Sequence, residues 1–194
     1  IIIFMTSKND SKKKSIANIL IGFAILMFGM ETMSGAVSGL ANNPSFTRMM
    51  IAFSNPILGM TVGLILTAII QSSSASVVIL QALCATGAVN YSVALPIIMG
   101  QNIGTCVTAL ISSVGANKNA RRASMIHLYF NLLGTVIFMV VFYSLNVFVR
   151  FDFLEGSIGA MGVAVIHSIF NVGCAILMYP LSGILVRLAE LSVK

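Results

Sequence analysis

Gln71-Ser72-Ser73-Ser74 places four consecutive polar side chains inside an otherwise apolar stretch, residues 66–80. In hydrocarbon a helix satisfies its own backbone, but hydroxyl and amide side chains need partners within the protein or on a ligand. A single serine is ordinary glue between membrane helices. Four in a row cannot all face one neighbouring helix, so the run reads as a break where a ligand sits. A second polar run follows in Gly100-Gln101-Asn102-Ile103-Gly104-Thr105-Cys106-Val107-Thr108. Its glycines loosen a helix and admit a ligand to the backbone, while Asn, Gln and Thr offer uncharged oxygens. The plainer alternative is a kinked helix packed through Gly100 and Gly104.

No Lys or Arg lies near either run. A half-helix starting near Ser74 or Ala75 would aim free N–H groups and its positive dipole end toward the membrane centre. With the hydroxyls of Ser72, Ser73 and Ser74 and the amide of Gln71, this suits phosphate or another oxyanion. The oxygens of Gln71, Asn102, Thr105 and Thr108, with carbonyl ends of broken helices, suit a hard cation such as Na⁺. Anion and cation side by side offset each other's charge, as a symport site without charged side chains requires. Acyl transfer by the serines lacks a base, since His127 and His167 sit on other segments without an orienting acid. The chain therefore reads as a non-enzyme.

The elements that position these residues follow from composition. Hydrophobic residues make up 58% and charged residues 8% of the 194 residues, with a mean hydropathy of +1.01. A soluble domain carries about a quarter charged residues, so the expected fold is an all-α polytopic membrane protein. The expected domains are a polar loop or the end of a preceding span over 1–15, a membrane repeat over 16–188 and a tail over 189–194. Spans are expected at 16–40, 91–114, 123–149 and 156–186. Asn42-Asn43-Pro44 and Asn55-Pro56 bracket an amphipathic interfacial helix over 45–53. The arms 57–70 and 75–88 are each roughly 21 Å long at 1.5 Å per residue, short of the ~30 Å hydrocarbon core. They fit a re-entrant hairpin with the serines at its tip, and Gly59 and Gly63 let the first arm pack closely. Span 91–114 is the broken helix.

Nine of the eleven basic residues fall on one side of this topology, leaving Arg48 and Arg150 on the other. The Lys-rich loops 5–15 and 115–122 are then cytoplasmic, and the membrane is the plasma (inner) membrane. The lysines are too few and too isolated from aromatics for nucleic acid. Glu31 faces either the bundle interior or an interface. Cys84, Cys106 and Cys174 read as small buried residues, not a disulfide set or metal site. His127 and Asn131, and forty residues later His167 and Asn171, lie four apart on one helix face each. They line a polar pathway or, more ordinarily, a packing seam between the two last spans. The first residue is Ile, which suggests a fragment or processed piece.

Gln71-Ser72-Ser73-Ser74-Ala75, Gly100-Gln101-Asn102-Ile103-Gly104-Thr105, Ala120-Arg121-Arg122-Ala123 and His127 with Phe130-Asn131 together resemble the Na⁺/phosphate cotransporter family. That family comprises the type II renal and intestinal carriers and their bacterial relatives. The resemblance covers about residues 16–186. It implies sodium-coupled phosphate symport by two inverted repeats, each giving a Gln-Ser-Ser-Ser hairpin to a midplane site. This chain resembles the second repeat, so the first, in the same parent chain or a partner chain, becomes an expected partner besides phosphate, Na⁺ as coupling ion and membrane lipid. A homodimer is a further assembly that it admits. The family often has Ala where Gln101 stands. The alternatives are another oxyanion or organic anion on the same scaffold, or a non-transporting membrane assembly subunit whose breaks are packing devices.

Overall fold

The computed structural model describes residues 11–193. All regular elements among them are helical. Four stretches are long and apolar enough to cross a membrane, so the protein is an all-α, multi-pass membrane protein.

The helix α1 (Ser11–Val37) starts just before the Lys12-Lys13-Lys14 cluster and includes it, in place of the loop expected to run to residue 15. Lys8 and the rest of residues 1–10 lie outside the described residues. Helix α1 packs on the second hairpin arm, and Glu31 is exposed on its surface. After a short 3₁₀ turn, Ser38–Asn42, comes α2 (Pro44–Phe53), with Pro at N1 and the Asn43 side chain accepting from the N–H groups of Ser45 and Phe46. This pairing of Asn cap and N1 proline repeats at Asn55, which caps α3 (Pro56–Ile70) through Ile57 and Leu58 N–H. Both starts follow from sequence, since Asn satisfies end-of-helix donors and Pro lacks the redundant one. The axes of α2 and α3 differ by 107°. Phe46 and Met50 of α2 turn into the core while Arg48 is exposed, as expected of an amphipathic helix.

Helix α4 (Ser73–Ala85) returns from α3 after two residues only. At 15 and 13 residues, the two arms reach about 20 Å each, too little to cross a ~30 Å core. Helix α5 (Tyr91–Gly104) follows and is buried from Val93 to its end. It is separated from α6 (Cys106–Ser112) by Thr105 alone. Thr105 keeps right-handed helical angles (φ −62°, ψ −25°) and its N–H donates to Gln101 O at 3.1 Å. The second interruption is therefore one residue wide, and Tyr91–Ser112 acts as one apolar rod.

Helix α7 (Lys118–Val149) begins within the basic loop, capped by the Asn117 side chain, and ends at Arg150 in the left-handed region. A 3₁₀ turn, Asp152–Glu155, leads to α8 (Ala160–Met178). The last span, expected to run to residue 186, stops at Met178, because Pro180 cannot continue the ladder. The remainder forms a separate helix, α9 (Ser182–Ser192), instead of a tail from residue 189. It lies on the first half of α7, joined by Arg122 Nε to Val193 O at 3.1 Å and by the Tyr129 and Ser192 hydroxyls at 2.6 Å.

The centre of the molecule is the contact between α3 and α5. A Cβ built on Gly63 would collide with Ile97 O, one on Gly100 with Met60 O, and one on Gly104 would lie 2.6 Å from Leu64 O. Gly59 meets Pro96 in the same way. Partner numbers rise together along both chains, so the two helices run parallel with backbones touching. Gly100→Ala is expected to overpack this contact and lower stability by about 1–3 kcal/mol or more. Gly22→Ala, where a Cβ meets open space, is expected to leave it unchanged. Thermal unfolding of both variants in detergent checks the contrast.

Candidate functional site

From Pro56 to Ser112 the chain carries no charged residue and no histidine. The polar groups here are amides, hydroxyls and helix ends, and their arrangement falls into an open tip and a buried layer beneath it.

The tip is Gln71 and Ser72. Gln71 caps α3 in the left-handed conformation (φ 57°, ψ 21°), donating its N–H to Thr67 O at 2.8 Å. Ser72 is extended and caps α4, its Oγ accepting from Ala75 N–H at 3.3 Å and its carbonyl from Ser76 N–H at 3.0 Å. Ser73 and Ser74, expected to belong to the break, are instead the first turn of α4. Serine is at home there because its side chain competes well for end-of-helix donors. The Ser73 and Ser74 N–H groups are the orphan donors of this helix end. Gln71, Ser73 and Ser74 are exposed and Ser72 half-buried. A helix N-terminus with hydroxyls around it and no cation beside it is an anion cradle made of partial charges.

Beneath the tip, Thr67 Oγ1 and Ser76 Oγ lie 2.7 Å apart, and Gln101 Nε2 donates to Ser76 Oγ at 2.9 Å and Ser76 O at 3.0 Å. All three residues are at most 1% exposed. This layer joins both hairpin arms to α5. Thr67 and Ser76 were not singled out in the sequence. The available signal is their position, one turn before Gln71 and one turn after Ser72, which turns them to the same side as the break.

The expected cation ligands divide between the two levels. Asn102 is buried, donating Nδ2 to Ile98 O at 3.2 Å. Thr105 donates its hydroxyl to Asn102 O, and Thr108 to Thr105 O at 2.8 Å. Both threonines are half-buried. Their donors are consumed within the helix, so the remaining capacity of these side chains is lone pairs, as a hard cation needs. The parallel register sets Thr67 and Ala68 against Gly104, and one turn further brings the level of Gln71 to that of Thr108.

His127 is exposed and His167 half-buried. Asn131 donates to His127 O at 3.0 Å and Asn171 to His167 O at 2.7 Å, so each amide is engaged within its own helix. The two helices meet one turn further on, where a Cβ on Gly134 would lie 3.1 Å from Cys174 Sγ. Phe138 and Phe170 form an edge-to-face pair at 5.1 Å there. Among the described residues no three His, Cys, Asp or Glu side chains gather as a metal site. The buried cysteines are free thiols.

The sequence pattern of the Na⁺/Pi-cotransporter family matches residues 25–166, which include the whole hairpin and α5. The chain belongs to this family. The uncharacterized protein YqeW of Bacillus subtilis (strain 168) is 32% identical over 130 residues, covering 67% of this chain and 41% of that protein. Human sodium-dependent phosphate transport protein 2B is 33% identical over 153 residues, 70% of this chain and 22% of its own length. The putative inorganic phosphate export protein YjbB of Salmonella typhimurium is 22% identical over 97% of this chain and 34% of its own length. The chain thus spans less than half of each of these relatives. No solved structure matches it. The family is one of transporters rather than enzymes.

Gln71 separates strain from chemistry. A left-handed, unbranched residue costs about 1 kcal/mol relative to glycine and a β-branched one more. Gln71→Gly is expected to hold or raise thermal stability, and Gln71→Val to lower it by about 1–2 kcal/mol. Unfolding midpoints in detergent check the order.

Proposed function

We propose that this chain is the second-repeat half of a sodium-coupled inorganic phosphate symporter. Phosphate is held by the Ser73 and Ser74 N–H groups with the hydroxyls of Ser72, Ser73 and Ser74 and the Gln71 amide. Na⁺ is taken by oxygens of Gln71, Asn102, Thr105 and Thr108. The observation that carries this reading is the open N-terminal turn of α4, whose orphan N–H groups and hydroxyls have no fixed cation beside them, together with threonines on the neighbouring helix that have spent their hydroxyl donors within it and keep lone pairs. Such a cradle holds a phosphate weakly unless a counter-cation arrives with it.

The same reading makes α3 and α4 a re-entrant hairpin and assigns the missing half of the site to a first repeat of inverted topology. Alternating access then moves the hairpin bundle against the remaining helices. The basic residues put loops 5–15 and 115–122 on the cytoplasmic side of the plasma membrane. One relative, named a putative inorganic phosphate export protein and similar along 97% of this chain, favours a second reading in which the same site works outward. Another oxyanion on this scaffold is the chemical alternative.

Uptake of labelled phosphate into proteoliposomes holding the intact protein, in Na⁺, K⁺ or choline salts, tests the proposal. Uptake in Na⁺ at least about tenfold above the other two is expected for obligate coupling. Equal uptake in all three refutes the coupling, loading the vesicles with phosphate reports on export, and competition by sulfate reports on the anion.

A further inference from the structure

We infer that Gln101 is a positioning residue for the anion cradle, holding the first turn of α4 in place from the neighbouring helix. The inference rests on the phosphate reading of that turn. Ser76 is the fourth residue of α4 and closes the turn that presents the Ser73 and Ser74 N–H groups. Gln101 grips it twice, at the hydroxyl and at the backbone carbonyl, while Thr67 of α3 holds the same hydroxyl from the other arm. A carbonyl grip fixes backbone, so it sets where the orphan donors point as well as where a side chain lies.

The orientation of the amide is determined. Turning it over would set Oε1 against the Ser76 carbonyl, lone pair to lone pair. In the observed orientation Oε1 is buried without a hydrogen-bond partner. An unpaired acceptor at this depth is costly, so a methionine of the same volume would serve better if packing were the whole task. What the amide contributes here is its two donors. Its own backbone carbonyl receives Thr105 N–H, so the residue that positions the anion turn also belongs to the turn carrying Asn102 and Thr105.

Two variants of the intact protein test this. Gln101→Met keeps volume and removes both donors, and Ser76→Ala removes the shared hydroxyl from the other side. Hydrogen–deuterium exchange in nanodiscs is expected to quicken over residues 72–80 in both, with α7 unchanged. Unchanged exchange over 72–80, or quickening spread across the chain, overturns the inference whether or not the protein carries phosphate. In sodium-driven uptake, the phosphate KM is expected to rise about five- to tenfold in Gln101→Met while maximal rate and sodium half-saturation stay within about twofold. A lower maximal rate at unchanged phosphate KM marks a merely structural role and also overturns it. Wild-type protein without sodium-driven uptake removes the symport reading, and the exchange measurement then decides the positioning role alone.

Discussion

The close parallel contact of α3 with α5 is the constraint on which the other placements depend. Between helices in a bilayer there is no hydrophobic drive, because lipid tails solvate apolar side chains as well as a neighbouring helix does. What remains is dispersion across well-fitted surfaces, and that grows when glycines let backbones touch. Gly59 and Gly63 on one helix, Gly100 and Gly104 on the other, leave no room for even a methyl group. A contact made of backbone cannot slide by a residue without collision, so it fixes register. Register then determines that Thr67 reaches Gly104, beside the α5–α6 junction, and that the hairpin turns over one turn beyond it.

That register explains why the polar residues occupy two levels. Below the turn, Thr67, Ser76 and Gln101 are sealed from solvent and joined by hydrogen bonds, with Gln101 Oε1 alone of their side-chain polar atoms left unpaired. Above it, Gln71, Ser73 and Ser74 are exposed with their orphan donors outward. The lower group gives rigidity and the upper group gives capacity for a ligand. The left-handed Gln71 belongs to this division. Its conformation lets α3 stop and α4 start within two residues, which keeps the tip small enough to sit above the sealed layer.

Much of this was legible in the sequence, and the misses share a physical cause. Asn before Pro marked both helix starts because capping is local chemistry, readable within four residues. Span number followed from composition and length. The helix ends were misjudged where a residue type serves two purposes. Ser73 and Ser74 looked like loop but are good first-turn residues, and Lys12 to Lys14 looked like loop but are strong helix formers once α1 has begun. Pro180 carried the stop of α8, but the apolar residues beyond it masked the signal. Those residues belong to α9, an amphipathic helix whose Leu185 and Ala189 are buried. Thr67, Ser76 and Gln101 were the hardest to see, since the bond between them joins positions 25 and 9 residues apart and depends on register rather than on spacing. The Gly100 and Gly104 pattern in α5 read either as a break that admits a ligand or as a kinked helix packed through its glycines, and both glycines pack against α3.

The exposed tip carries one further consequence. On the proposed re-entrant reading neither hairpin arm brings the turn to the far surface, and the Ser73 and Ser74 N–H groups end at depth within the bilayer. Backbone donors facing lipid chains are excluded at that depth, where each unsatisfied group costs several kcal/mol. What faces the tip is therefore protein or a water-filled cavity. The apolar sides of α1, α7 and α8 are exposed along their lengths, as lipid or further helices require. On the proposed reading the site lies on an inner boundary with a further repeat, and each relative is more than twice as long as the stretch it shares with this chain. Charge balance points the same way. With only partial charges at the tip, the proposed anion is held firmly only where a second set of dipoles or cations closes over it, and on that reading the closure is the step that switches sides.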